Sequence, residues 1–349
     1  MEIIKKLGAG AFSKVYYVKL ENGSYGAMKK PRKHVESEDA IRDSNNEVEF
    51  LKHFTNSAYV INMLEYKVDA DTNRIVLEPL GEELEYVIKH YRQYNTTIPL
   101  RVTKYLSKQI LYGLSEMSSI DILHNDLKPE NVLFTTHLPQ IFHTGKRDWF
   151  RKVFQMIPKL NKDHLLYFND VLKEMALMRM RVKIIDFGNA FSKKTMRTNK
   201  DQFLDSRPTR YYISPEILLD APFWTKSDMW GFGCIVYEMV TGTTLFNPRR
   251  DNEIGINNMH LCLINMTIGR FPKSLLKTGK HSKKYFINGI HRHRYLIYRT
   301  SIRSVISHYI HNPIDLKTTL HFLSSIFVIN PKLRISAFEC LLSDWFNIN

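Results

Sequence analysis

The stretch Ile122-Leu123-His124-Asn125-Asp126-Leu127-Lys128-Pro129-Glu130-Asn131-Val132-Leu133 decides how this chain is read. It follows a run of apolar residues at helical spacing, 101–119, and leads into a short strand-like piece, Asn131–Thr135. Asp126 and Asn131 therefore stand five apart in a loop between a helix and a strand. A carboxylate placed there can orient a hydroxyl nucleophile or take its proton. A carboxamide can hold Mg²⁺, and Lys128 can neutralise a transferring phosphoryl group. A plain turn rich in Asp, Pro and Asn is the bland alternative, and the length of the pattern argues against it.

Working outward, Lys183-Ile184-Ile185-Asp186-Phe187-Gly188 closes a second β-branched strand, Val182–Ile185, and offers Asp186 as another Mg²⁺ ligand. Upstream, Gly8-Ala9-Gly10-Ala11-Phe12-Ser13-Lys14-Val15 lies in a strand–turn–strand. Glycines there let backbone N–H groups approach phosphates closely. Taken alone this is a tight hairpin turn, and Ser13 stands where GxGxxG has its third glycine. Ala27-Met28-Lys29 reads as a strand with its lysine 14 residues after Val15. A helix over 37–54 follows, with Ser37 as N-cap and Ile41, Val48, Leu51 and Phe54 on one face. It offers Glu47 as the partner of Lys29, with Glu49 as the competing choice.

These segments, in this order, resemble the eukaryotic protein kinase superfamily from about Ile4 to Phe346. Ser214-Pro215-Glu216 resembles the segment that ends the family's activation region. Ser227-Asp228-Met229-Trp230-Gly231-Phe232-Gly233-Cys234 resembles its buried-helix motif, in which Asp228 steadies the catalytic loop. Arg334 matches the arginine that pairs with Glu216. The resemblance implies an α+β, bilobal fold: a small β-rich lobe, 1–80, and a larger helical lobe, 81–349, with a cleft between and insertions near 136–181 and 247–312. It implies ATP and Mg²⁺ as cofactors, with Asp126 and Lys128 catalytic, and Asn131 and Asp186 on the metal. Gly8, Ala9, Gly10, Ala11, Phe12, Ser13 and Lys29 would lie at the phosphates of ATP, with Glu47 completing the ATP site as the ion-pair partner of Lys29. Leu7, Val15, Ala27 and Leu133 would line the adenine pocket, with Leu77 as gatekeeper before a hinge of Glu78, Pro79 and Leu80. Plain core packing is the alternative for each apolar position.

Several features resemble the CMGC group, in its LAMMER (Cdc-like) and SR-protein kinase branch. His124-Asn125-Asp126 lacks the usual arginine, which removes the main anchor of a phosphorylated activation loop and predicts constitutive activity. Glu78-Pro79-Leu80-Gly81 and Asp186-Phe187-Gly188-Asn189-Ala190 resemble the branch's hinge and its metal motif. The run from His260 to Pro272 aligns with the LAMMER region, its signature reduced to Leu-Cys-Leu-Ile-Asn-Met. Gly279-Lys280-His281-Ser282 resembles a segment of the SR-protein kinases. Two departures bear on substrate. Ile213 stands where the group usually has arginine. The region 254–314 contains no Asp or Glu, and ten Lys or Arg fall between Arg270 and Arg303. An Arg-rich substrate would be repelled there. RNA, an acidic protein or a phosphorylated substrate would not, and a solvated basic face is the alternative. Glu82, Glu83 and Glu85, just after the hinge, keep a basic, Arg/Ser-rich substrate in play.

The 349 residues carry 50 Lys or Arg against 35 Asp or Glu, a formal charge of +15 that favours acidic partners. An apolar content of 44% excludes wholesale disorder. Cys234, Cys262 and Cys340 are far apart and form no CxxC, which argues against a disulfide framework or zinc site. His291 and His293, set among basic residues, make no metal site either. No apolar run suits a membrane span, and Met1–Gly10 is no signal peptide, so cytosol or nucleus is expected, for a monomer. Two functions emerge. One is a Ser/Thr kinase, with Tyr activity open and SR-type splicing factors as candidate substrates. The other is a scaffold binding RNA or acidic proteins through 270–303. A small-molecule kinase is disfavoured by the activation segment.

Overall fold

The computed structural model describes residues 1–9, 13–31, 38–69, 72–139, 142, 162–192, 208–249, 255–293 and 301–347. The class is α+β. The chain divides into two compact units, Met1–Asn95 with Glu130–Gly188, and Thr96–Pro129 with Asn189–Asn349.

The first unit is built on five antiparallel strands: β1 (Glu2–Ala9), β2 (Ser13–Lys19), β3 (Tyr25–Pro31), β4 (Met63–Asp69) and β5 (Thr72–Leu77). Their order is β1-β2-β3-β5-β4, so β3 is a central strand and Lys29 is no edge residue. Alternation puts Val18, Met28 and Val76 into one core with Leu20. The β2–β3 turn needs Gly23, whose φ is +84°, and Asn22 closes it by accepting from the Ser24 amide (3.0 Å) and hydroxyl (2.7 Å). The helix Glu38–Leu51 runs into a 3₁₀ turn, Lys52–Phe54, and buries Val48, Phe50, Leu51 and Phe54. Ser37, expected as its cap, lies outside the described residues.

Val132–Phe134 pairs antiparallel with Val182–Ile184, so the two short strands that flank 136–181 form one ladder. Between them runs the helix Lys162–Leu177. The Arg181 carbonyl accepts the Thr135 amide (2.9 Å), which commits that residue to the ladder. This helix carries Lys173, only 3% exposed, whose ammonium sits 5.4 Å from the Tyr94 ring and 5.9 Å from the Phe142 ring. Cation–π attraction offsets the burial of that charge.

The second unit centres on the helix Lys226–Thr241, buried on all sides from Ser227 to Thr241. A Cβ at Gly233 would lie 2.6 Å from Ile326 Cγ2, which explains glycine where the helix Pro313–Ile326 approaches. Trp230 stacks on Phe246 (5.6 Å between ring centres) and meets Phe327 edge-on (5.2 Å). Leu100–Ser119 is a helix as expected, one residue longer at its start. The three cysteines are buried free thiols. Among the described residues no helix is long and apolar enough to cross a membrane.

Candidate active site

The site residues divide between the two units. In the first, strand β3 delivers Lys29 beside Glu47 of the following helix. The Lys29 ammonium is 2.6 Å from Glu47 Oε2 and 2.8 Å from Asp186 Oδ1. Glu47 is 1% exposed, whereas Glu49, two residues on, faces solvent. Burial alone would lower the Lys29 pKa. The carboxylates of Asp186 and Glu47 outweigh that and hold it well above the ordinary lysine range, so the amine stays charged. Burial pushes the Glu47 carboxyl up against the pull of Lys29. Asn46 holds the other end of the Asp186 turn by donating to the Gly188 carbonyl (3.1 Å).

Asp186 has φ +67°, a left-handed conformation that Asp tolerates better than most residues. Its side chain keeps 40% of its surface exposed. Asn131 is buried, and its carbonyl accepts the Ile185 amide (3.0 Å), which ties the two metal-ligand candidates to one ladder. An Asp carboxylate and an Asn carboxamide are hard oxygen donors. Few protein ligands plus substrate phosphates is the usual way Mg²⁺ is held, so the residues fit that ion.

Around them, Ala27 lies opposite Leu77 across β3 and β5, and both are buried. Val15, Leu80 and Leu133 are half-buried and Leu7 is exposed. Gly8 and Ala9 pair with Val15 and Lys14 across β1 and β2, with Ser13 opening β2. Gly10, Ala11 and Phe12 lie outside the described residues. The Glu78 carboxylate faces away from a hinge role. Its Oε1 accepts from the Asn62 amide (2.7 Å) and the Asn62 side chain (3.0 Å) and pairs with Lys183, so any hinge contact falls to its backbone. Glu82 and Glu85, after the hinge, are also engaged. Glu82 accepts the Leu138 amide (2.6 Å) and pairs with His137 (3.2 Å), and Glu85 pairs with Lys89 (2.9 Å).

In the second unit Asp126 is held from two sides. Its Oδ1 accepts the Thr209 amide (2.8 Å) and its Oδ2 the Lys128 ammonium (2.9 Å). Lys128 also donates to the Thr209 hydroxyl (2.8 Å). Thr209 thus fixes both catalytic candidates, a role the sequence reading missed although the residue opens the Thr209–Glu216 segment. The loop backbone is pinned by Asp228, whose carboxylate accepts the amides of His124 (2.7 Å) and Asn125 (2.9 Å). Burial pushes the Asp228 carboxyl up to about 6, only partly countered by His124 and those two amides. Glu216 and Arg334 form a fully buried, two-pronged pair at 2.7 and 2.9 Å.

A family profile described as a protein kinase domain matches residues 1–346. The serine/threonine-protein kinase SRPK of Physarum polycephalum is 30% identical over 81% of this chain and 70% of its own. The dual specificity protein kinase lkh1 of Schizosaccharomyces pombe is 26% identical over 71% of this chain. The dual specificity protein kinase CLK4 of Homo sapiens is 28% identical over 82%. The matches span only 32% of lkh1 and 52% of CLK4.

Proposed function

Because this chain belongs to the protein kinase family, in its Cdc-like and SR-protein kinase branch, we propose that it transfers the γ-phosphoryl of ATP to Ser or Thr hydroxyls of proteins. The observation that carries the reading is Lys29 paired at 2.6 Å with Glu47, the arrangement in which a strand lysine is aimed at nucleotide phosphates.

The geometry supports the following roles. Lys29, kept cationic by two carboxylates, grips the α- and β-phosphates. Asp126, fixed by Thr209 and Lys128, orients the acceptor hydroxyl and receives its proton as the oxygen attacks phosphorus. Lys128 offsets charge on the transferring group. Asp186 and Asn131 are the residues that would hold Mg²⁺, which supplies neutralisation of phosphate charge. Leu7, Val15, Ala27 and Leu133 take the adenine, with Leu77 as gatekeeper. We keep 1–80 as the nucleotide lobe, 136–181 and 247–312 as insertions, and cytosol or nucleus as the location. Tyr activity is part of the same proposal, on the strength of the dual-specificity relatives.

Arg/Ser-rich substrates are the family's suggestion, and the chemistry here weakens it. Glu82 and Glu85 already have partners, and the 254–314 region offers no carboxylate. The test is Mg²⁺-dependent ³²P transfer from ATP to Arg-Ser, Ser-Pro and acidic Ser peptides, with Asp186→Ala as control. Metal-dependent transfer lost in the control is expected. Absence of both transfer and ATP binding would overturn the kinase reading in favour of a scaffold.

A further inference from the structure

The helical unit carries an open depression of about 640 Å³, well away in sequence from the catalytic loop. Lys273, Lys277, Lys280 and Lys283 line it, together with Asn288. Lys280 is paired with Asp220 at 2.6 Å. Among the described residues, the ammonium groups of Lys273, Lys277 and Lys283 have no ion pair or hydrogen bond. No carboxylate lies anywhere in 254–314 to compensate them. Three like charges gathered in one hollow repel one another, and an anion of matching charge relieves that repulsion.

The frame that carries these lysines is fixed by packing. A Cβ on Gly279 would sit 2.9 Å from Leu219 Cβ, so the backbone there lies directly against its neighbour. The amides of Lys280 and His281 donate to the carbonyls of Asp220 (3.4 Å) and Leu219 (3.3 Å). Across the hollow, Asn288-Gly289 turns the Phe286–Ile287/Ile290–His291 hairpin with φ of 50° and 78°, the two-residue geometry that Asn-Gly favours. The Phe271 amide donates to the Gly289 carbonyl (3.0 Å) and holds that turn down. The charges are therefore presented on a preorganised surface.

We propose that this depression docks a phosphomonoester on a protein substrate, a phosphoserine or phosphothreonine, while another hydroxyl of that substrate is phosphorylated. A phosphomonoester brings nearly two negative charges and three acceptor oxygens, which three ammonium groups and one carboxamide can satisfy together. RNA fits less well. The charge is concentrated in one hollow rather than spread along a track, and none of the residues lining it is an aromatic on which a base could stack. As a substrate-docking site the proposal rests on the kinase reading. Anion binding itself does not.

The experiment separates the two by measuring binding without nucleotide. Fluorescence anisotropy of the full chain compares a phosphoserine peptide, its serine counterpart and a mixed-sequence RNA oligonucleotide. The variant is Lys273→Gln/Lys277→Gln/Lys283→Gln, at three exposed positions outside the catalytic machinery, with folding checked by thermal unfolding. Lys284→Gln/Arg292→Gln removes charge from the same region but outside the hollow. The phosphopeptide should bind about tenfold or more tighter than the serine peptide. The triple variant should lose that preference and the control variant keep it, with transfer to an unphosphorylated short peptide unchanged in both. Equal binding of the two peptides, equal losses in both variants, or RNA binding through these lysines without phosphopeptide binding would each overturn the proposal. Failure of transfer to every peptide would refute the kinase reading and leave the anisotropy result to stand on its own.

Discussion

Replacing Arg334 by Met should destabilise the helical unit by about 3–5 kcal/mol, the cost of leaving a buried charge without its partner. Both side chains are wholly buried, so no water can take over. Arg334 makes two bonds to Glu216, at 2.7 and 2.9 Å, and donates to the carbonyls of Lys226 (2.8 Å) and Val328 (3.0 Å). Its guanidinium also lies 5.1 Å from the Trp230 ring centre. After the change Glu216 keeps, among the described side chains, the Ser227 hydroxyl at 2.7 Å on Oε1. Methionine fills comparable volume, so the loss is electrostatic rather than a cavity.

The double variant Arg334→Met/Glu216→Leu separates this account from mere loss of packing. It removes both charges and leaves only the Ser227 hydroxyl and the carbonyls unpaired, a smaller penalty of about 1–3 kcal/mol. It should therefore be more stable than the single variant. Urea unfolding followed by tryptophan fluorescence measures both, and Trp230 sits beside the substitution. At about 2–4 °C per kcal/mol for a unit of this size, the single change should lower Tm by roughly 10 °C. A single variant within about 1 kcal/mol of the parent, or a double variant less stable than the single, would refute the reasoning.

Asp126→Asn should lower phosphoryl transfer by about 10²–10⁴-fold in initial rate, with ATP affinity retained, because the proton acceptor is lost and the fold is not. Gly81→Ala should destabilise by about 1–3 kcal/mol in thermal unfolding, because its Cβ would lie 2.2 Å from the Thr136 carbonyl oxygen, a backbone atom that cannot move aside. Asp228, raised by burial to about 6 from 3.8, binds more protons folded than unfolded between those values. Its contribution to stability therefore falls as pH rises through that window and is level above it. Relative to Asp228→Asn, the parent should lose about 2 kcal/mol between about pH 4.5 and pH 7 in urea unfolding. A parallel pH course of the two proteins would count against the shift.

The catalytic loop and the Asp186 turn were legible because their residues combine local turn chemistry with fixed chain order. The choice between Glu47 and Glu49 was not. Two residues apart on a helix they lie on nearly opposite faces, and only the packing of that helix says which face meets β3. Thr209 escaped notice because it reaches Asp126 and Lys128 through long-range contacts that no spacing rule encodes. Glu82 and Glu85 looked like a free acidic patch because the sequence does not reveal the Leu138 amide or commit Lys89 to its i,i+4 partner. The Asn288-Gly289 hairpin is different. Its dipeptide was readable, but strands of two residues offer too little alternation to mark it.

Asn125 joins the sequence reading to the geometry. It stands where an arginine would catch a phosphate on the activation segment, and it is 5% exposed with φ +66°. Among the described residues neither its side-chain oxygen nor its nitrogen has a hydrogen-bond partner, and the same holds for the Ser214 hydroxyl. Both residues line a void of only about 10 Å³, too small for a phosphoryl group, and Ile213 closes it with an apolar wall. Among the described residues that line it there is no cation to meet a phosphate. The order of the loop comes instead from Asp228 on its backbone and Thr209 on its catalytic carboxylate. Those bonds join unmodified side chains to backbone amides, and constitutive activity stands as the expectation that the sequence sets.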